Sequence, residues 1–470
     1  MFVQLFMLII ANFLLTLTPL FLFGLTSNSV FSLTFVRFFI AGIIELILLI
    51  LLIYLEFYQR RKTISQKNQE ISEEFTFIRL IRFYFFEYVF SKNDKMNSKP
   101  HLLSYYTLLG GLLVAFSIPF NYWGFQTFGV VFTTMSVNGI TLLFISFNNL
   151  YKREEDFNLL YLGYFILIIS SIFTSSIGRE SEAIQFSIEG TISLFISITT
   201  WISFLIVASK STNTPIKSMK SALKVKINNN IIFSDRFGLH QDSKSILPKL
   251  IRSILQLFYI HVIGSLLLYP LTYFLMIMLP ESNISLQATQ FLFIEAETFI
   301  TLFFDYRILI IAIFSTVIPY LLIFISASNW PKHALKHDQW NSILTLIEPL
   351  MGLYIGLFVW KEQIKTDYVI ITTILLVSSI LIRYFYENGT KIEFIIFLKI
   401  DTTNINQLEK LLSKYKKEIG RISVLCGVWD IIINGTCRSI KKFNDIYNIL
   451  EENNIIKKIK HSIVEKVHER

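Results

Sequence analysis

Apolar residues gather into long runs along the first 385 residues. Each run is long enough to cross a hydrocarbon core of about 30 Å as a helix. Ten spans are predicted, at 2–23, 33–54, 103–124, 130–150, 159–176, 191–208, 251–273, 308–327, 343–360 and 368–382. That number excludes a soluble enzyme. The first run has no basic residues before it and no small-residue cleavage site after it, so it reads as a span rather than a signal peptide.

The pattern changes after residue 386, where charged residues recur every few positions. Residues 392–400 (IEFIIFLKI) read as a strand. Residues 405–418 read as an amphipathic helix with Ile405, Leu408, Leu411, Leu412 and Tyr415 on one face. Strands follow at 422–426 and 430–434, joined by Gly427-Val428-Trp429, then a helix at 439–450 and a last strand at 456–467. The order βαββαβ is a ferredoxin-like unit of about 80 residues.

Composition changes the picture in one respect. A net charge of +9 would point to nucleic acid in a soluble protein. Here the cations cluster in alternate loops. With a cytoplasmic N-terminus, the loops 59–100, 151–156, 210–252 and 331–338 are inside and hold about twenty Lys and Arg. The opposite loops, including 26–32, 178–187 and 280–305, hold only a few. This positive-inside asymmetry predicts a multi-pass cell-membrane protein with both termini cytoplasmic and no nucleic-acid partner. Cys426 and Cys437 then face a reducing compartment, which disfavours a disulfide. The sequon Asn388-Gly389-Thr390 has no glycosylation meaning on that side.

The membrane part reads as two related halves. Ile118-Pro119-Phe120-Asn121-Tyr122 and Ile318-Pro319-Tyr320 occupy comparable spans. Each is followed by another span and a charged hairpin, Tyr151-Lys152-Arg153-Glu154 in one half and Trp360-Lys361-Glu362 in the other. Five spans per half require opposite orientations, the inverted-repeat architecture of many transporters. The competing reading is chance similarity between apolar segments.

These residues carry a resemblance. Phe35-Val36-Arg37-Phe38-Phe39-Ile40-Ala41-Gly42 in the second span, Glu154 after the fourth, and Ile347-Glu348-Pro349-Leu350 with Lys361-Glu362 in the ninth resemble the EamA type of the drug/metabolite transporter superfamily. The resemblance covers about residues 1–386. It implies ten helices in two inverted five-helix repeats, at 1–177 and 188–386, and transport of small organic solutes such as amino acids. The inside loops 59–100 and 210–249 are long for that family, and the first half lacks a counterpart of Pro349. The stretch 75–90 reads either as an interfacial helix, with Arg79, Arg82 and Glu87 at headgroups, or as a packed loop helix. The second long loop reads as a linker.

The tail, 391–470, resembles the ligand-binding (RAM) domain of Lrp/AsnC-type regulators. The residues that match are Val424-Leu425-Cys426-Gly427-Val428-Trp429-Asp430-Ile431-Ile432-Ile433 and the closing Ile463-Val464-Glu465-Lys466-Val467. The resemblance implies pairing through the sheets, hence a homodimer, and a metabolite site in which Gly427, Trp429 and Asp430 take part. Gly427 also suits a tight strand connection on its own account.

Several residues are candidates for chemistry. Glu348 inside a span costs roughly 2.5 kcal/mol or more unless it faces a partner or a wet cavity. It suits a substrate amine or a transferable proton, or else backbone freed by Pro349. Asn121, Tyr122, Trp123 and Asn138 suit either a pocket for an amphiphilic solute or interhelical packing. Tyr320, Trp201 and His261 are lesser candidates. Arg37 suits an anionic substrate or snorkels to headgroups, and Glu45 carries a proton or pairs with a neighbour. Pro119, Pro319 and Pro349 are helix breaks suited to gating. No phosphate-cradling loop, metal-ligand cluster or catalytic triad is visible. The expectation is therefore a secondary transporter without cofactor or metal, moving a small-molecule substrate across a lipid bilayer by alternating access. The rivals are a non-transporting membrane sensor signalling through the tail, and an exchanger of phosphorylated or nucleotide sugars.

Overall fold

The computed structural model describes residues 2–66, 76–88, 102–151, 159–177, 188–213, 246–295, 299–328, 337–388, 392–400, 405–412, 415, 418–425, 428–437, 440–453 and 455–464. Lys152, Arg153 and Glu154, the sequon's Gly389 and Thr390, most of the 210–249 loop, and Cys426 and Gly427 lie outside them.

The chain divides into two compact units, Met1–Tyr151 with Phe165–Ile380, and Lys152–Tyr164 with Leu381–Arg470. The first is helical: α1 Phe2–Leu15, α2 Leu17–Leu22, α3 Val30–Gln66, α4 Phe77–Arg82, α5 Leu102–Phe128, α6 Val130–Tyr151, α7 Leu159–Ile177, α8 Ile188–Asn213, α9 Ile246–Met278, α10 Asn283–Thr289, α11 Phe299–Phe303, α12 Tyr306–Ala312, α13 Ile318–Ser328, α14 His337–Leu344, α15 Ile347–Phe358 and α16 Thr366–Asn388. Helix α7 begins, and helix α16 ends, in the second unit.

Among the described residues nine spans are long and apolar enough to cross a membrane. Large apolar side chains such as Phe6, Leu51, Phe147, Phe173, Phe195 and Phe274 point outward, which in water would be an aggregating surface and in lipid is the matching one. The chain is a multi-pass membrane protein.

The predicted span 343–360 is the exception. It is two short helices, α14 and α15, parted at Thr345-Leu346. A 12-residue helix is about 18 Å long, too short to cross alone. Pro349 is the cause. It has no N–H to give the Thr345 carbonyl four residues back. The Glu348 N–H donates there instead, at 3.1 Å, closing a tighter turn. The eighth span is also irregular: a π-helical turn, Ile313–Val317, joins α12 to α13.

Within the stretch 75–90, the described residues 76–88 form α4 and a π-helical turn, Phe83–Tyr88. Leu80, Phe83 and Tyr84 bury against Leu49 and Ile53 of α3 and Ile251 and Ile254 of α9. The Tyr84 hydroxyl donates to Glu56 Oε2 at 2.5 Å. The segment therefore packs on the bundle, with Ile78 and Phe86 left outward.

In the second unit the tail forms β1 Ile392–Ile400, α17 Ile405–Leu412, β2 Ile419–Val424, β3 Ile431–Cys437, α18 Ile440–Glu451 and β4 Ile456–Val464. The sheet is antiparallel, in the order β2-β3-β1-β4. The element order is the one the periodicity predicts. Strand β2 starts earlier than predicted, because Ile419 pairs with Gly435 across a register shift before Arg421. Phe394, Ile396 and Leu398 of β1 alternate onto the core with Leu408, Phe443 and Ile446 of the helices, and Cys437 is buried there.

Candidate functional site

Proline residues shape the centre of the bundle. Pro319 cannot donate to the Ser315 carbonyl, four residues earlier on the π-helical turn. Arg37 of α3 supplies the missing donor: Nη2 lies 2.9 Å from that carbonyl. Its Nε donates to Thr316 Oγ1 at 2.5 Å, and its Nη1 donates to the Tyr122 hydroxyl of α5. Arg37 is 2% exposed, so it points inward rather than toward headgroups. Pro19 of α2 likewise leaves the Leu15 carbonyl without a helical donor, and the Ser315 hydroxyl donates to it at 3.2 Å. Thr18 and Ser315 hydroxyls bond each other beside it. Unpaired backbone in hydrocarbon costs several kcal/mol per group. Arg37 and Ser315 therefore settle the backbone that the proline breaks open.

A cavity of about 40 Å³ lies against this cluster. By the measure of one water-sized sphere per water, it has room for about three waters. Its walls include Arg37, Asn121, Tyr122, Asn138, Trp201, Tyr320 and Glu348, together with Leu15, Thr18, Ser117, Ile118, Phe125 and Val137. Seven residues singled out from sequence thus meet around one space, from α3, α5, α6, α8, α13 and α15.

Glu348 is in the first turn of α15. It shares the cavity wall with Asn138 and Arg37, both of which act on it electrostatically. Asn138 donates to the Thr134 carbonyl at 3.1 Å. Asn121 Oδ1 has no hydrogen-bond partner among the described residues, so an acceptor in the wall is open to a ligand donor. Trp201 and Phe204 pack around the Tyr320 ring, at centroid distances of 6.4 and 5.8 Å. The wall therefore offers one cation, one carboxylate, amide groups and aromatic faces.

Trp123 is not part of it. The indole is buried away from the cavity, and its N–H has no partner among the described residues. Pro119 lies inside α5 two residues before Asn121. Sequence reasoning missed Thr18, Ser315 and Thr316. The available signal was spacing: Ser315 stands four residues before Pro319, which identifies its carbonyl as freed.

A second missed feature holds Glu348 in place. Gly352 and Gly356 form a G-x-x-x-G on α15 facing α6. A Cβ on Gly352 would meet Thr134 Oγ1 at 2.6 Å, and one on Gly356 would meet Val131 Cγ2 closer still. The close approach of α15 to α6 sets Glu348 beside Asn138. At the end of this seam Glu362 Oε1 accepts from the Val130 N–H at 2.6 Å, capping α6 after the left-handed Gly129 (φ 78°). Of the charged Lys361-Glu362 pair, Glu362 is here a helix cap.

In the tail, Asp430 Oδ2 accepts from the Ile400 N–H at 2.9 Å, and its own N–H donates to the Leu398 carbonyl at 3.0 Å. Trp429 packs on Phe397 and lies beneath the Lys458 ammonium. Both residues fasten strand ends. Among the described residues no group of three or more His, Cys, Asp or Glu could hold a metal. No protein-family model matches this chain, and no curated protein is significantly similar to it.

Proposed function

We propose that the chain is a secondary transporter of small organic solutes, amino acids or close relatives, working by alternating access as an exporter of the EamA kind. One observation carries this reading: Arg37 and Glu348 line a single cavity with Asn121, Asn138 and the aromatic rings of Tyr122, Trp201 and Tyr320. A zwitterion presents an amine and a carboxylate a few ångströms apart. The Glu348 carboxylate is complementary to the first and the Arg37 guanidinium to the second, with an aromatic wall for the side chain. Helix α15 begins at the cavity, which is the discontinuous-helix arrangement that transporter sites use. The small volume means that cargo enters only after the helices part.

A phosphorylated cargo fits less well. Its charge calls for several cations, and the wall has one, already engaged by Tyr122, Thr316 and Ser315. The positive-inside loops support cytoplasmic termini, and the tail, 391–470, is proposed as a cytoplasmic sensing or dimerising domain.

The test is flux of a radiolabelled mixture of the common amino acids into liposomes holding the purified full-length chain. Uptake by wild type and its loss in Glu348→Gln supports the reading; no uptake by wild type overturns it. Deleting 391–470 then asks whether the tail regulates. Unchanged substrate dependence would leave dimerisation as its role.

A further inference from the structure

A buried ionisable pair lies outside the cavity wall. Glu45 of α3 and His261 of α9 have side chains each 1% exposed. His261 Nδ1 stands 3.0 and 2.9 Å from the two carboxylate oxygens. A chain that needed only packing at this contact would do as well or better with apolar residues, since a buried ion pair rarely improves on them. In membrane spans buried ionisable residues mark substrate or ion pathways and proton relays.

The surroundings isolate it. Among the described groups, His261 alone acts electrostatically on Glu45. From α13, Tyr320 faces the imidazole at a centroid distance of 6.0 Å, and Phe38 of α3 covers it at 5.4 Å. From α5, Gly110 and Gly111 meet Ile260 and Ile263 of α9, an apolar contact. From α8, Trp201 and Phe204 stand behind Tyr320. Glu56 lies eleven residues after Glu45 on α3, and Arg252 nine residues before His261 on α9. Arg37 and Glu348 act on Tyr320 from the cavity side. Tyr320 is thus shared between the cavity and the pair.

We infer that Glu45 and His261 form the proton-carrying site whose loading and unloading drives cargo movement, with Tyr320 as the link between them. The inference rests on the transport reading above. One proton taken from water on one side turns carboxylate and neutral imidazole into carboxylate and imidazolium. The same proton leaves to the other side after the helices rearrange, and no other bond forms or breaks. The loaded pair has no net charge and suits the dry surroundings seen here. The unloaded pair is a lone anion and needs a wet path. Cargo that moves Tyr320 uncovers the imidazole, so loading and cargo are coupled.

The test uses the full chain in two ways. In liposomes with a trapped pH dye, wild type should move protons together with the radiolabelled amino-acid mixture. Glu45→Gln and His261→Asn should lose gradient-driven accumulation by at least about tenfold, while exchange of labelled for unlabelled amino acids without a gradient persists and shows that the variants are folded. Equal accumulation in wild type and Glu45→Gln, or wild-type flux without proton movement, overturns the inference. In detergent without cargo, infrared titration should show a carboxylate band that changes with pH, vanishes in Glu45→Gln and shifts in His261→Asn. A band insensitive to pH overturns the proton site whatever the cargo. A titrating pair in a chain that moves no amino acid overturns the amino-acid reading alone.

Discussion

The Arg37 guanidinium donates to the Ser315 carbonyl, the group that Pro319 leaves without a helical partner. One side chain thereby ties α3 to the irregular eighth span and faces the cavity at the same time. Replacing it should injure fold and function together. Arg37→Lys has a single point of donation where three are used. It should lower stability by about 1–3 kcal/mol, read as a drop in the thermal midpoint, and should reduce amino-acid flux. Retention of both would show the fork to be dispensable.

Pro349 has the opposite sign. Pro349→Ala restores the N–H that Thr345 lacks and joins α14 to α15 as one helix. Its thermal midpoint should match or exceed that of wild type, because a helical hydrogen bond is regained, while flux falls, because the half-helix start at Glu348 is lost. A less stable variant with normal flux would show that the break serves packing alone.

Gly352→Ala and Gly356→Ala should push α15 off α6, since Thr134 and Val131 stand closer than a Cβ allows. Overpacking of this kind costs about 1–3 kcal/mol. The same shift draws Glu348 from Asn138. Amino-acid binding, followed by ligand-dependent thermal stabilisation, should weaken in Gly352→Ala, and adding Thr134→Ala, which removes the hydroxyl that a Cβ would strike, should restore part of it.

Asp305, at the start of α12, accepts from the Arg307 N–H at 2.8 Å and pairs with its guanidinium at 2.7 Å. The hydrogen bonds to Arg307 hold the Asp305 carboxyl below the ordinary aspartate range, against a smaller upward push from partial burial. A lowered folded-state value means that the stabilisation is complete above the unfolded value and is lost as pH falls through the folded one. Asp305→Ala should cost about 1 kcal/mol at neutral pH, and the deficit should shrink in acid below the aspartate range. A deficit constant with pH would show that the charge does not matter.

Much of this is legible in the sequence alone. Spans follow from apolar run length, and strands and helices of the tail from periods of two and 3.6, because both are local properties of the chain. Seven cavity residues are legible because polar groups are costly within spans and need a reason to be there. What does not show locally is relational. Nothing near Arg37 says that its donors reach a carbonyl 278 residues away. Nothing near Glu45 names His261. Adjacency groups Trp123 with Asn121 and Tyr122, yet a helix turns successive side chains by about 100° and sends neighbours to different faces. The span at 343–360 looks whole in its hydropathy because hydropathy does not register the loss of one N–H.

The glycine seam between α15 and α6 constrains the gene as well as the protein. The chain has 45 Phe and 18 Gly, a balance that codons rich in A and T would produce. Outward positions such as Phe147 and Phe195 can drift among bulky apolar residues under that pressure, since lipid tolerates any of them. Residues 352 and 356 cannot follow, for every codon that replaces glycine adds an atom where Thr134 and Val131 already stand. GC-rich codons should therefore persist at these two places in variants that have rewritten most of the lipid-facing surface.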